Sequence, residues 1–271
     1  MNSTNNTVLL EKQGDIATVT LNRPDKHNGL NEAMFYGLLD AAKAIKKDRS
    51  IRCVILKGAG ESFCAGLDFA SVAKNPSMAV KFFLKLPWSK DNRFQRIAHI
   101  WRDLPMPVIA AVHGNCFGGG MQIILGCDYR IATPDARLAI MEGKWGLIPD
   151  MSGTVTLSRL TRVDIAQELT MTGRIFSAEQ GAEYGLISRI SDEPLQSAQE
   201  LAQTLCEKSP DAVAAAKALF KKTWKRDTRS ALLWERLIQL RILGRKNQRI
   251  AMQNGLAKDQ APKPFKDRTT F

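Results

Sequence analysis

The chain is 271 residues long, 44% hydrophobic and 24% charged. That is enough apolar material for one large buried core, which excludes global disorder, and no apolar run approaches the roughly 20 residues of a membrane span. The formal net charge of +12 at pH 7 favours an anionic partner or a solvated basic surface.

The polar, uncharged Met1–Thr7 lacks the basic-then-apolar pattern of a signal peptide, so a cytoplasmic protein is expected. Cys53, Cys64, Cys116, Cys127 and Cys206 are odd in number, sit mostly in apolar segments and form no C-x-x-C pair. They read as small buried side chains rather than a disulfide framework or a zinc site. No stretch interleaves aromatic with basic residues, which disfavours nucleic acid as the partner.

In chain order, Val8–Lys12 and Ile16–Leu21 predict a hairpin turned at Gly14-Asp15, with a loop at 23–26. Asn31 is placed to cap a helix running to about Asp48. Cys53–Lys57 predicts a buried strand closed by Gly58-Ala59-Gly60. Residues 71–90, with Pro76 and Pro87, predict a mobile flap or cover, and Asp91–Leu104 a helix. Pro107–Val112 is a second buried strand, broken at Gly114 and followed by Gly118-Gly119-Gly120 and a helical run from Met121. Asp128–Ala132 and Arg137–Ile140 predict short strands, 142–152 a loop, Ser152 the start of helical segments to about Thr172, and Ser177 the cap of a helix ending near Gly185. A short strand at Leu186–Ile190 follows. The chain is then helical from Leu195 to Gln253, breaking near Ser209-Pro210 and Asp227, and irregular from Gly255. Strand–helix units followed by an all-helical end predict an α/β fold, divided here into a core of residues 1–194 and a helical region of residues 195–271.

A strand that ends in glycines and opens a helix leaves bare backbone N–H groups for a ligand oxygen. Here that place is Gly118–Gly120, and neither G-x-x-x-x-G-K-[ST] nor G-x-G-x-x-G is present to make it a phosphate cradle. A second strand ends in the loop Phe63-Cys64-Ala65-Gly66-Leu67-Asp68. If the Leu67 N–H lies opposite the Gly119 N–H, two donors converge on one oxygen, an arrangement that stabilises an enolate.

The segments F-C-A-G-L-D and H-G-N-C-F-G-G-G-M-Q, with L-N-R-P-D-K-H-N-G-L before them and W-G-L-I-P-D after, resemble the crotonase (enoyl-CoA hydratase/isomerase) superfamily from about Ile16 to Ile190. The resemblance implies a crotonase-like spiral of repeated β-β-α units with a helical C-terminal trimerisation region, assembled as a homotrimer or hexamer. It implies acyl-CoA thioester substrates, with no cofactor beyond the coenzyme A that the substrate carries. By motif match, Leu67 and Gly119 supply the oxyanion hole, and Ala65 and Gly118 flank the substrate. Arg23 and Lys26 match positions near the CoA nucleotide. Lys258, Lys263 and Lys266 are weaker matches, because the family's C-terminal K-R-x-P-x-F is missing. Ala70 stands where hydratases often carry a CoA-contacting lysine.

The acid–base positions decide the reaction. The hydratases in the family hold a water with two glutamates; here one position is Gln122 and the other Glu142. Glutamine carries no titratable carboxylate, so hydration is weakened and Gln122 is left as a substrate- or water-contacting amide. Asp150 lies eight residues beyond Glu142, in the pattern E-x-x-x-G-L-x-x-D. The pair resembles the dienoyl-CoA isomerases, which shuttle protons along a conjugated acyl chain, although those usually carry Asp at position 122. Expected from this is an isomerase with Glu142 and Asp150 as the proton-handling residues. A hydratase is the first alternative, and a non-catalytic crotonase-fold protein binding acyl-CoA or RNA the second. The plainer alternatives are that Glu142 is a surface or capping carboxylate, that Asp150 caps the next helix, and that Gln122 only bonds within a packed helix. His113, Asp128 and Asp68 are expected to be structural.

Overall fold

Val8–Gln13 (β1) and Ile16–Leu21 (β2) form the expected antiparallel hairpin, and Cys53–Gly58 (β3), Val108–Val112 (β4) and Tyr129–Ala132 (β6) continue the sheet in parallel. Asn115–Phe117 (β5), Arg137–Ala139 (β7) and Phe176–Ser177 (β8) make a second, three-stranded sheet, and Arg189–Ile190 (β9) completes the first in the order β1-β2-β3-β4-β6-β9. The structure is a computed structural model and describes residues 6–74, 76–85, 87–257 and 261–271.

The connectivity is a repeated β-β-α turn. β4 crosses to β5 and then to the helix Gly119–Leu125; β6 crosses to β7 and then to the helices Gly153–Leu160 and Val163–Thr172. Each crossing needs a sharp corner. Gly114 makes the one between β4 and β5 with φ +56°, and a Cβ there would lie 2.0 Å from the Glu61 carbonyl oxygen. The strand β5 lies between two glycines and is three residues long, too short to stand out in the sequence beside the apolar run of β4.

Alternation along the central strands separates two buried layers. Val54, Leu56, Val108 and Ala110 face the main core, where the helix Glu32–Lys47 packs; Asn31 caps that helix by accepting the Met34 N–H at 3.0 Å. Cys53, Ile55, Ile109 and Ala111 face the helix Pro194–Cys206, through Ala198 and Ala202. The helices Pro210–Thr223, Thr228–Ile242 and Lys246–Leu256 follow; the break at 243–245, at Gly244 with φ +71°, is not among those expected. The irregular tail is tied back: Asp211 accepts the Thr269 and Thr270 N–H groups, and Arg52 donates to the Phe265 carbonyl. Of residues 71–90, expected as a cover, the first part lies in two short helices, Phe69–Lys74 and Pro76–Phe83, anchored by Phe82 against Phe35 and Phe94. Among the described residues no helix is long and apolar enough to cross a membrane.

The Gly114 corner gives a stability test. Gly114→Ala forces a side chain into the left-handed region and against backbone, so a loss of at least about 2 kcal/mol is expected, measured by urea unfolding of the pure protein.

Candidate active site

The site forms where β2, β3 and β4 end. Asn28, buried at φ +56°, pins the first loop by donating to the Ala59 and Ser62 carbonyls, at 2.8 and 2.7 Å, while its own Oδ1 accepts the Arg23 N–H. The loop after β3 is then zipped to β5. Phe63 N–H donates to His113, Cys64 N–H to Asn115 and Phe117 N–H to Cys64. Gly66 (φ +94°) turns the chain so that a Cβ on it would lie 3.7 Å from the Gly119 nitrogen. Leu30 bridges the next residue from both sides, its N–H donating to Gly66 and its carbonyl accepting from Asp68. Leu67 N–H is left over, and so is Gly119 N–H, the first of its helix; neither has a partner among the described residues.

Both amides line a cavity of about 290 Å³. Phe69, Val72, Phe83 and Trp145 give it an apolar wall, with Phe69 and Trp145 in ring contact at 4.7 Å. Glu142 and Asp150 line the same cavity, as do Ala65 and Gly118. The sequence-derived residues 65, 67, 118, 119, 142 and 150 are therefore brought to one place.

Glu142 opens the short 3-10 turn Glu142–Trp145 and is buried. Its Oε1 accepts from Gln122 Nε2 at 2.6 Å, and its Oε2 is buried with no partner. Burial pushes its carboxyl above the ordinary range, and the charge of Asp150 adds to this. Burial raises Asp150 as well. Two of the three plainer alternatives meet contrary geometry: Glu142 is not a surface group, and the helix Gly153–Leu160 has no side-chain cap from Asp150 or any other described residue. Gln122 is buried, bonded to Glu142 on one side and to the Met151 N–H, at 2.9 Å, on the other. It does not line the cavity that holds Glu142 and Asp150.

The expected structural residues are structural. His113 bonds the Gly60 carbonyl, and Asp128 accepts from Val108 N–H and pairs with Lys217 at 2.6 Å. Asp68 accepts from Ser71 and Arg23. Its partial burial opposes ionisation, but those hydrogen bonds outweigh it and hold the carboxyl low. Arg23, expected beside the CoA nucleotide, has its guanidinium on Asp68 and the Gly29 carbonyl, where it braces the loop; Lys26 on the neighbouring turn is exposed. Lys263 and Lys266 lie on the tail that packs near Arg49 and Arg52, where β3 begins, and so are not brought to the site within one chain. Lys258 falls outside the described residues. Asn28, Met151, Phe83 and Trp145 were not singled out by sequence. Asn28 alone carried a readable signal, the Asn-Gly pair that favours a left-handed turn.

A larger cavity, about 580 Å³, lies at the far end of the helix Gly119–Leu125 against Pro210–Thr223. Its lining carboxylate, Asp128, is already paired with Lys217, so it offers no free acid–base pair.

Comparison with known proteins gives the family of the whole chain. The sequence profile of the family described as Enoyl-CoA hydratase/isomerase matches residues 11–266. The chain belongs to the enoyl-CoA hydratase/isomerase family, within the crotonase superfamily. It is 34% identical to a carnitinyl-CoA dehydratase of Salmonella typhi over 217 residues, 79% of this chain and 80% of that one. The crystal structure of an enoyl-CoA hydratase from Bacillus anthracis superposes with a TM-score of 0.85 at 29% identity, covering 95% of this chain and 98% of that one. An enoyl-CoA hydratase from Mycobacterium tuberculosis gives 0.82 at 27%, with the same coverage, 95% and 98%. The spiral expected from the motifs is therefore the fold observed, and the family's substrates are acyl-CoA thioesters.

The raised carboxyls set a pH test. The unfolded chain releases these two protons at lower pH than the folded one. Each carboxyl therefore favours folding below its unfolded value, and that contribution is lost as pH rises through its folded value. Glu142→Gln and Asp150→Asn are expected to raise Tm at pH 8, by about 2–4 °C for each kcal/mol of relieved strain. The gain should close below about pH 4. Thermal melts at the two pH values check this.

Proposed function

We propose that this enzyme moves a carbon–carbon double bond within an enoyl- or dienoyl-CoA by proton transfer. The observation that carries the reading is the single cavity in which two unpartnered amides face two carboxyls whose protons are held unusually tightly. A thioester oxygen bonded to Leu67 N–H and Gly119 N–H takes up charge as an enolate forms. With a 3,5-dienoyl-CoA, one carboxylate removes a proton from C2 and the electrons run into the thioester oxygen. The other group, protonated at the start, delivers its proton at C6, so no atom is gained or lost. One group must begin charged and the other neutral, and a pair in which burial raises both carboxyls and the charge of Asp150 raises Glu142 further is suited to that. Phe69, Val72, Phe83 and Trp145 accommodate the acyl chain. Ala65 and Gly118 let it approach the backbone, and Lys26, with Arg23 bracing its loop, lies toward the nucleotide. Gln122 acts through Glu142 rather than on substrate.

The reaction is redox-neutral and needs no cofactor beyond coenzyme A. The exposed apolar side chains Leu232, Leu240 and Leu243 on the C-terminal helices support a homotrimer or hexamer, and a cytoplasmic location belongs to the same reading. Hydration or dehydration is the second reading, favoured by the names of the relatives and by the presence of Glu142.

The test supplies 3,5-dienoyl-CoA and follows the conjugated 2,4-product by its absorbance. Turnover is expected, with Asp150→Asn and Glu142→Gln each lowering kcat at least about 100-fold. Fast hydration of 2-enoyl-CoA with no dienoyl turnover would establish the second reading instead. Unchanged activity in Asp150→Asn would return that residue to a structural role.

A further inference from the structure

We infer that Gln122 is a positioning residue that fixes which oxygen of Glu142 handles the proton. The inference rests on the reading of Glu142 as an acid–base group. Its basis is a chain of two hydrogen bonds inside the protein. Met151 N–H can only donate, so the atom of Gln122 facing it at 2.9 Å must be the amide oxygen. The other end of the amide is then NH2, and it donates to Glu142 Oε1 at 2.6 Å. A carboxyl oxygen that accepts such a bond cannot carry the acidic hydrogen toward it. When Glu142 is neutral, its proton therefore sits on Oε2, and when Glu142 is charged, Oε2 is the oxygen left to receive one. Oε2 is the buried atom with no partner. Leaving such an atom unpaired is costly unless a ligand or a transferred proton meets it.

Two glycines make room for the bridge. A Cβ at Gly153 would come within 2.8 Å of Gln122 Oε1, and one at Gly118 within 3.4 Å of Glu142 Oε1. The bridge also joins the two halves of the acid–base wall, because Met151 directly follows Asp150. One amide thus sets Glu142 relative to the backbone that carries Asp150. A glutamate at 122 would accept from Met151 N–H with one oxygen and bring the other against Glu142, and two carboxylates in contact cannot both be charged, so one of them would have to hold a proton. Asp150 is the other charged side chain lining the cavity among the described residues. The helix Val163–Thr172 lies behind the 142–145 turn, its Thr170 and Met171 carbonyls standing where a Cβ on Gly143 would fall.

The experiment compares Gln122→Glu, Gln122→Met and Glu142→Gln in the full-length enzyme, reading kcat, KM and the pH profile of kcat/KM with 3,5-dienoyl-CoA. It also reads the pH titration of the Glu142 carboxyl by infrared difference spectroscopy of the free enzyme, with Glu142→Gln identifying the band. Gln122→Met, which removes both bonds, is expected to lower kcat about 100-fold with KM changed less than about threefold. Gln122→Glu is expected to move the acid limb of the profile, and the infrared titration, to higher pH. If both variants fold but leave kcat, the acid limb and the infrared titration where they were, the positioning role is overturned. If Glu142→Gln is itself fully active, the proposed reaction fails, and the infrared titration still decides whether Gln122 governs the Glu142 proton.

Discussion

The ladder between Cys64 and β5 is the constraint on which the rest of the site depends. Cys64 N–H to Asn115 and Phe117 N–H to Cys64 bind two connections that lie more than fifty residues apart in sequence. They close this tightly because Gly66 and Gly120 bring nothing between them; a Cβ on Gly120 would overlap Cys64 at 2.6 Å. Once the ladder is made, the Leu67 and Gly119 amides have no freedom to find internal partners. The pair of unpartnered amides is thus produced by main-chain geometry, with side chains contributing mostly by their absence.

The opposite wall works by different physics. Glu142 and Asp150 are held in an apolar cavity, where burial makes both harder to ionise, the charge of Asp150 adds to this for Glu142, and among the described residues neither is neutralised by a cation. The molecule contains such neutralised carboxyls elsewhere, in Asp68 with Arg23 and Asp128 with Lys217. The contrast separates carboxylates paired with cations from carboxylates left unpaired in a cavity wall. The amide of Gln122 belongs between the two classes: it is buried and fully engaged, like a core group, yet its partner is one of the unpaired carboxyls.

The sequence was most readable where local chemistry decides structure. The hairpin at Gly14-Asp15, the Asn31 cap and the buried strands β3 and β4 follow from alternation and capping, and four ordered motifs sufficed to bring Leu67, Gly119, Glu142 and Asp150 together. Side-chain commitments over long distance were not readable. Arg23 matched a ligand-contacting position, but its guanidinium meets Asp68, 45 residues on. Gln122 looked like a contact for substrate or water, because nothing local reveals that Met151 N–H lies against its oxygen. The tail lysines were not readable for the same reason: where Lys263 and Lys266 lie depends on how Asp211 and Asn247 fold the C-terminus back.

Cys64 stands one residue from the turn that presents Leu67, next to where a thioester would lie. A thiolate there would compete for the acyl group by exchange, leaving the enzyme acylated and coenzyme A released. The fold prevents this. The sulfur is fully buried, its hydrogen is directed to the Asn28 carbonyl at 3.1 Å, and burial pushes its pKa up to about 12. The same ladder that assembles the site therefore also keeps this thiol behind the cavity wall, out of reach of a thioester or of thiol-alkylating reagents.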